Sequence, residues 1–193
     1  MERLCIAKIK RSGRGVKKIM LENIQNIYLI GMPSSGKSTL GRSLAAHLAY
    51  EYVDMDEVLV QNEGRTIFQI FAESGEAYFR KLETDLLRSF LPNEKKVIST
   101  GGGAPVFYDN MKFILDNGIS IYLDVTPIDL FDRIYKSNKN DRPLIDKSDA
   151  NELLKNLEAK YNYRYQYYNQ ADIVIDHNFT INHIIEKLGQ FIK

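Results

Sequence analysis

Short apolar runs recur along the chain: "IYLI" at 27–30, "YVDMD" at 52–56, "KVIST" at 96–100, "ISIYLDV" at 119–125 and "ADIVID" at 171–176. Between them lie longer stretches of mixed character, the first being "STLGRSLAAHLA" at 38–49, with the apolar spacing of a helix that buries one face. Strand and helix in strict alternation predict an α/β fold with a parallel sheet covered on both faces. Helix starts fall where that scheme needs them. Thr66 with Gln69 and Asp149 with Glu152 fit capping boxes, and Pro127 occupies a first helical position behind Thr126. One long polar stretch, "KSNKNDRPLIDKSD" at 136–149, interrupts the domain and predicts a mobile loop.

Composition narrows this without changing it. At 193 residues and 44% hydrophobic, the chain suits one well-packed domain. Its 26 basic and 25 acidic residues give no field that would draw a nucleic acid or a membrane surface. Cys5 is the only cysteine, so an intrachain disulfide is impossible and a cytoplasmic setting is expected. The start "MERLCIAKIKRSGRGVKKI" lacks the apolar core of a secretory signal. It is strongly basic, with Arg3, Lys8, Lys10, Arg11, Arg14, Lys17 and Lys18 against Glu2 alone. Residues 1–22 are expected to be an extension outside the fold, Met20 being an alternative start, and residues 23–193 to form a single domain.

Chemistry enters at "GMPSSGKST", residues 31–39, directly behind the first apolar run. Gly31, Gly36, Lys37 and Ser38 match G-x-x-x-x-G-K-[ST], a loop whose backbone N–H groups turn inward around phosphate oxygens. Gly31, Ser34, Ser35, Gly36 and Thr39 would then line an ATP site, Lys37 would meet the terminal phosphates, and the Ser38 hydroxyl would ligate Mg²⁺. The second run ends in Asp54 and Asp56. In an extended segment both carboxylates project to one side, one for the metal and the other as general base for a substrate hydroxyl. Alternatively, Asp56 caps the helix that follows.

Where a nucleotide switch normally shows an aspartate at the end of a neighbouring strand, this chain has Ser99 and Thr100, followed by Gly101, Gly102 and Gly103. The metal carboxylate must therefore come from elsewhere, which favours Asp54, and bare backbone at 101–103 leaves room for a ligand to lie close. In "GEAYFRKLE", Glu83 stands one helical turn from Arg80 and would orient its guanidinium toward a carboxylate ligand. Arg142, in "DRPL", has the setting of an arginine that closes over phosphates. Arg164 lies among tyrosines in "AKYNYRYQYYNQAD" and has no role from local sequence.

The order G-x-x-x-x-G-K-S-T, D-x-D, F-R-x-x-E, G-G-G and R-P-L resembles the shikimate kinase family over residues 24–192. The resemblance implies a P-loop three-layer sandwich with a five-stranded parallel sheet and a mobile lid at about 136–149. It also implies ATP and Mg²⁺, and phosphorylation of the 3-hydroxyl of shikimate in aromatic amino acid biosynthesis; a monomer is expected. By the same resemblance Lys37, Asp56 and Arg142 are catalytic, and Ser38 and Asp54 serve the metal. Asp56, Arg80, residues 101–103 and Arg164 meet shikimate, and Arg142 is the lid arginine. The family's R-x-P-x-Y carries Gln166 in place of proline here, and matching Arg133 to the family's adenine-side arginine requires a small insertion before Arg142. A kinase of another polyol acid such as gluconate, or a nucleotide-binding module without transfer chemistry, are the alternatives.

Overall fold

The computed structural model describes residues 26–141, 147–176 and 180–191. The basic extension lies outside these residues, as does Arg142. Five strands, β1 (Asn26–Ile30), β2 (Glu51–Asp54), β3 (Lys96–Ser99), β4 (Gly118–Asp124) and β5 (Ile173–Asp176), pair in the order β2-β3-β1-β4-β5, every pair parallel. Seven helices connect or flank them among the described residues: α1 (Lys37–Leu48), α2 (Met55–Glu63), α3 (Ile67–Ser89), α4 (Asn110–Asn117), α5 (Pro127–Asp141), α6 (Lys147–Tyr168) and α7 (Ile181–Phe191).

Alternation along β1 explains the three layers. Ile27 and Leu29 face Leu40, Leu44 and Leu48 of α1 and Ile184 and Leu188 of α7. Tyr28 and Ile30 face the other way, onto Leu87 of α3, Ile114 of α4, Leu130 of α5 and Leu157 of α6. Because both of its faces are covered, β1 is buried at every position, whereas the edge strands β2 and β5 also carry exposed residues. A smaller cluster, Leu59, Ile70 and Phe79, joins α2 to α3. β1 lies between β3 and β4, so the chain leaves it in opposite directions and opens a crevice at the strands' carboxyl ends.

Three local expectations change. The run "YVDMD" is a strand only to Asp54; Met55 and Asp56 already belong to α2, because Asp54 caps that helix by accepting the Asp56 N–H. The polar stretch 136–149 is not a loop throughout: α5 continues to Asp141 and α6 is helical from Lys147. Its residues suit a solvated helix as well as a loop, and an i,i+4 pair between Asp132 and Lys136 at 3.6 Å extends α5 into it. Asp149 consequently lies inside α6 rather than ahead of it. The capping box at Thr66 forms as expected, and Thr126 Oγ1 accepts the Asp129 N–H at 3.2 Å.

At the base of β5, the Asp172 carboxylate replaces a missing rung of the sheet. Its Oδ2 accepts from Ser120 N at 2.8 Å and Ser120 Oγ at 2.7 Å, and Ser120 is fully buried. Asp172→Ala leaves those donors without a partner, and the expected loss is about 1–3 kcal/mol of unfolding free energy, read from urea melts.

Candidate active site

Between β1 and α1 the chain makes a tight loop. Gly31 has φ +142, and a Cβ there would stand 2.8 Å from the Leu123 carbonyl oxygen, so both backbone and space demand glycine. Gly36 is the N-cap of α1 and offers no side-chain acceptor to its first turn, which leaves that helix end to an anionic ligand. Lys37 is buried, and its Nζ donates to the carbonyls of Gly31 at 3.1 Å and Met32 at 2.9 Å. Burial pushes its ammonium down to about 8 against the opposing pull of Asp56 and Asp54, with the Arg164 charge adding to the downward shift. Arg133 reaches in from α5, and its Nη1 donates to Ser35 O at 2.8 Å and Ser34 O at 3.2 Å. That clasp holds a segment in which Ser34 carries a left-handed φ of 63°.

One carboxylate links this loop to β2. Asp54 Oδ2 accepts from Ser38 Oγ at 2.7 Å and Tyr52 OH at 2.9 Å, while Oδ1 accepts the Asp56 N–H at 3.2 Å. A serine hydroxyl beside an anionic carboxylate is an oxygen-only pair suited to a hard divalent cation completed by phosphate and water. Among the described residues no three His, Cys, Asp or Glu side chains gather for a protein-only metal site. Asp56, in the first turn of α2, has its carboxyl pushed up by burial and then by the Asp54 charge, with Lys37 and Arg80 opposing.

Residues 101–103 form the opposite wall, and they are glycines because nothing larger fits. A Cβ on Gly101 would collide with Glu83 Oε1 and stand 3.0 Å from Asp56 Oδ1. On Gly102 it would meet Pro33 Cδ at 2.7 Å and Arg164 Nη1 at 3.2 Å, and on Gly103 it would lie 2.6 Å from Arg80 Cζ. The turn thus gathers one carboxylate of α2, the Arg80–Glu83 pair of α3 and an arginine of α6 around bare backbone.

Each cation is held in place. Arg80 Nη1 donates to Glu83 Oε2 at 2.8 Å, and its Nε and Nη2 both reach Glu76 Oε1, at 3.1 and 3.0 Å. The Phe107 ring lies under the guanidinium, 4.6 Å from the ring centroid. Burial pushes the Glu83 carboxyl up, with Arg80 opposing. Arg164 Nη1 donates to Gly102 O at 3.0 Å, and Tyr168 OH donates to the same oxygen.

The residues singled out from sequence therefore converge, apart from Arg142, which lies outside the described residues, and Ser34 and Thr39, which are exposed. Tyr52, Glu76 and Tyr168 were not assigned from sequence, and Arg133 holds the loop itself. Two were legible in spacing: Glu76 precedes Arg80 by a helical turn, and Tyr52 precedes Asp54 by one strand period.

The family model for shikimate kinase matches residues 33–193. A shikimate kinase of Clostridium botulinum (strain 657 / Type Ba4) is 39% identical over 152 residues, 79% of this chain and 87% of that protein. One from Persephonella marina is 40% identical over 153 residues, 79% and 88% of the two chains. Among solved structures, the shikimate kinase of Acinetobacter baumannii in complex with shikimate superposes with a TM-score of 0.71 at 32% identity, covering 88% of this chain and 93% of that one. The enzyme from Bacteroides thetaiotaomicron gives 0.72 at 31%, covering 86% and 96%.

Gly103 has a backbone that any residue adopts, φ −92° and ψ −19°, so alanine there tests space alone. Gly103→Ala is expected to displace the Arg80 guanidinium and weaken a carboxylate-bearing acceptor by at least about tenfold, the loss of one charge-assisted contact. Nucleotide affinity should match wild type. Calorimetry with shikimate and, separately, ADP reads both.

Proposed function

The chain belongs to the shikimate kinase family, and we propose that it transfers the γ-phosphoryl group of ATP to the 3-hydroxyl of shikimate, giving shikimate 3-phosphate and ADP for aromatic amino acid biosynthesis. The observation that carries the site assignment is the gathering of Asp56, Arg80 and Arg164 about residues 101–103, across from Lys37 and its phosphate loop.

Shikimate is a small carboxylate with three hydroxyls, and each part has a counterpart. Arg80 and Arg164 grip the carboxylate, with Glu83 and Glu76 fixing the Arg80 fork. Residues 101–103 let the ring approach backbone closely. Asp56 accepts the proton of the attacking hydroxyl, since burial and the Asp54 charge favour its protonated form. The loop at 31–39 holds the phosphates, and Lys37 leaves its backbone carbonyls to meet the developing charge. Ser38 and Asp54 would hold Mg²⁺, which when bound neutralises phosphate charge. Arg142 is assigned the lid position by its motif. The reaction demands positioning and charge neutralisation more than covalent chemistry, and these residues supply both. We place the enzyme in the cytoplasm as a monomer; no helix among the described residues is long and apolar enough to cross a membrane.

A coupled assay of ADP release across shikimate, gluconate and nucleoside monophosphates should show turnover with shikimate alone. Asp56→Asn is expected to bind nucleotide as wild type does and to lose on the order of 10²-fold or more in turnover, the usual range for a general base. Unchanged turnover would leave Asp56 as a structural residue of α2.

Arg164→Ala removes one charge-assisted contact of roughly 1.5–3 kcal/mol, so shikimate affinity should fall about ten- to a hundredfold while ATP affinity holds. Arg164→Lys should recover only part of it, a point charge being a poor match for a planar carboxylate. Titration calorimetry with shikimate and a nonhydrolysable ATP analogue decides the matter; equal shikimate affinity in wild type and Arg164→Ala removes the residue from the pocket.

A further inference from the structure

Tyr52 stands two residues before Asp54, on the same face of β2. Its hydroxyl lies 2.9 Å from Asp54 Oδ2 and 3.2 Å from Ser99 Oγ. A phenol has one proton, and the carboxylate is the stronger acceptor, so Tyr52 donates to Asp54 and takes the Ser99 hydroxyl as its own donor.

The sheet register gives this short relay its meaning. Asp54 pairs with Ser99 across β2 and β3. P-loop enzymes of the switch type hold their metal with the loop serine or threonine and an aspartate at a strand end. Here the strand beside β1 ends in serine, and the acid sits at the paired position one strand farther out, about 4.8 Å sideways. Displaced that far, a lone aspartate has several rotamers to choose from. Tyr52 removes the choice: its OH and Ser38 Oγ converge on Oδ2 while the α2 backbone holds Oδ1.

The ring that carries the hydroxyl is itself fixed. It lies against Gly41 of α1, where a Cβ would fall 3.1 Å from Tyr52 Cδ2 and closer still to Cε2. On Tyr52 also rests the Arg42 guanidinium, 5.0 Å from the ring centroid and tied to Glu57 at 2.5 Å.

We propose that Tyr52, backed by Ser99, is a positioning residue for the metal–nucleotide site, aiming the Asp54 carboxylate at Ser38. The proposal rests on the assignment of Ser38 and Asp54 to Mg²⁺, and the test separates the two. Tyr52→Phe keeps the ring against Gly41 and Arg42 and deletes only the hydroxyl. ADP binding is measured by calorimetry at a series of Mg²⁺ concentrations, and Mn²⁺ uptake by the ADP complex is followed by electron paramagnetic resonance. Tyr52→Phe is expected to need about tenfold more Mg²⁺ for half-maximal enhancement of ADP binding, the lower end of what outer partners of metal ligands contribute. Metal-free ADP affinity and shikimate affinity should match wild type. Ser99→Ala should shift the Mg²⁺ requirement in the same direction by less, and the double variant should equal Tyr52→Phe alone, because the two hydroxyls act in series. If Tyr52→Phe does not fold, the shift in Ser99→Ala decides. A Mg²⁺ requirement equal to wild type in Tyr52→Phe, alongside a raised one in Asp54→Asn, overturns the proposal and leaves the metal assignment standing. An unchanged requirement in Asp54→Asn overturns the metal assignment itself.

Discussion

Residues 101–103 run so close to Asp56, Glu83, Arg80, Arg164 and Pro33 that a single added methyl at any of the three positions meets a neighbour at 3.0 Å or less. This contact governs the site. α2, α3 and α6 each bring a charged group to the crevice, and bare backbone at 101–103 lies against all of them. Arg164 and Tyr168 both spend a hydrogen bond on the Gly102 carbonyl, so α6, packed on α5, is also tied to the turn. The turn is anchored in its own right: Thr100 donates to Leu29 O from both N and Oγ1, each at 3.1 Å, and Asn110 Nδ2 binds Ala104 O at 3.0 Å and Thr84 Oγ1 at 2.9 Å.

Such proximity has an electrostatic cost. Burial drives Lys37 toward its neutral form and drives Asp56 and Glu83 toward theirs, opposed by Asp56 and Asp54 at Lys37, by Lys37 and Arg80 at Asp56, and at Glu83 by Arg80 one helical turn away. Removing one member leaves another buried without compensation, which costs more than the pair contributes when intact. The arrangement is therefore poorly suited to stabilising the fold and well suited to receiving ligands. Under the proposed function, phosphate charge favours the charged form of Lys37.

How much of this was readable in the chain depends on the length scale of each feature. The sheet, its parallel sense and the phosphate loop follow from period and local motif, and β1, β3, β4 and β5 fall on the apolar runs. The D-x-D segment misled because a two-residue alternation assumes that extended backbone continues; Asp54 instead ends the strand and caps the helix, putting Asp56 on a different element. Within the stretch expected as a loop at 136–149, residues to Asp141 and from Lys147 are helical, since polar composition does not by itself exclude helix. Arg164 could not be read locally at all. Its neighbours in sequence are tyrosines, two of them exposed, and only the 62-residue closure onto Gly102 gives it a partner. Arg133 reaches its loop across 98 residues, a contact that no spacing rule anticipates.

The placement of one acid on β2 connects these observations. With Asp54 at the outer strand and Ser99 opposite it, the end of β3 carries no charge, and the chain leaving β3 is free to be a glycine turn, which the proposed function gives to the acceptor. The same carboxylate then faces two ways: Oδ2 takes the Ser38 hydroxyl of the phosphate loop, and Oδ1 takes the N–H that starts the helix bearing Asp56. In the proposed assignment, the metal side and the acceptor side therefore share a single side chain, held between a strand end and a helix start.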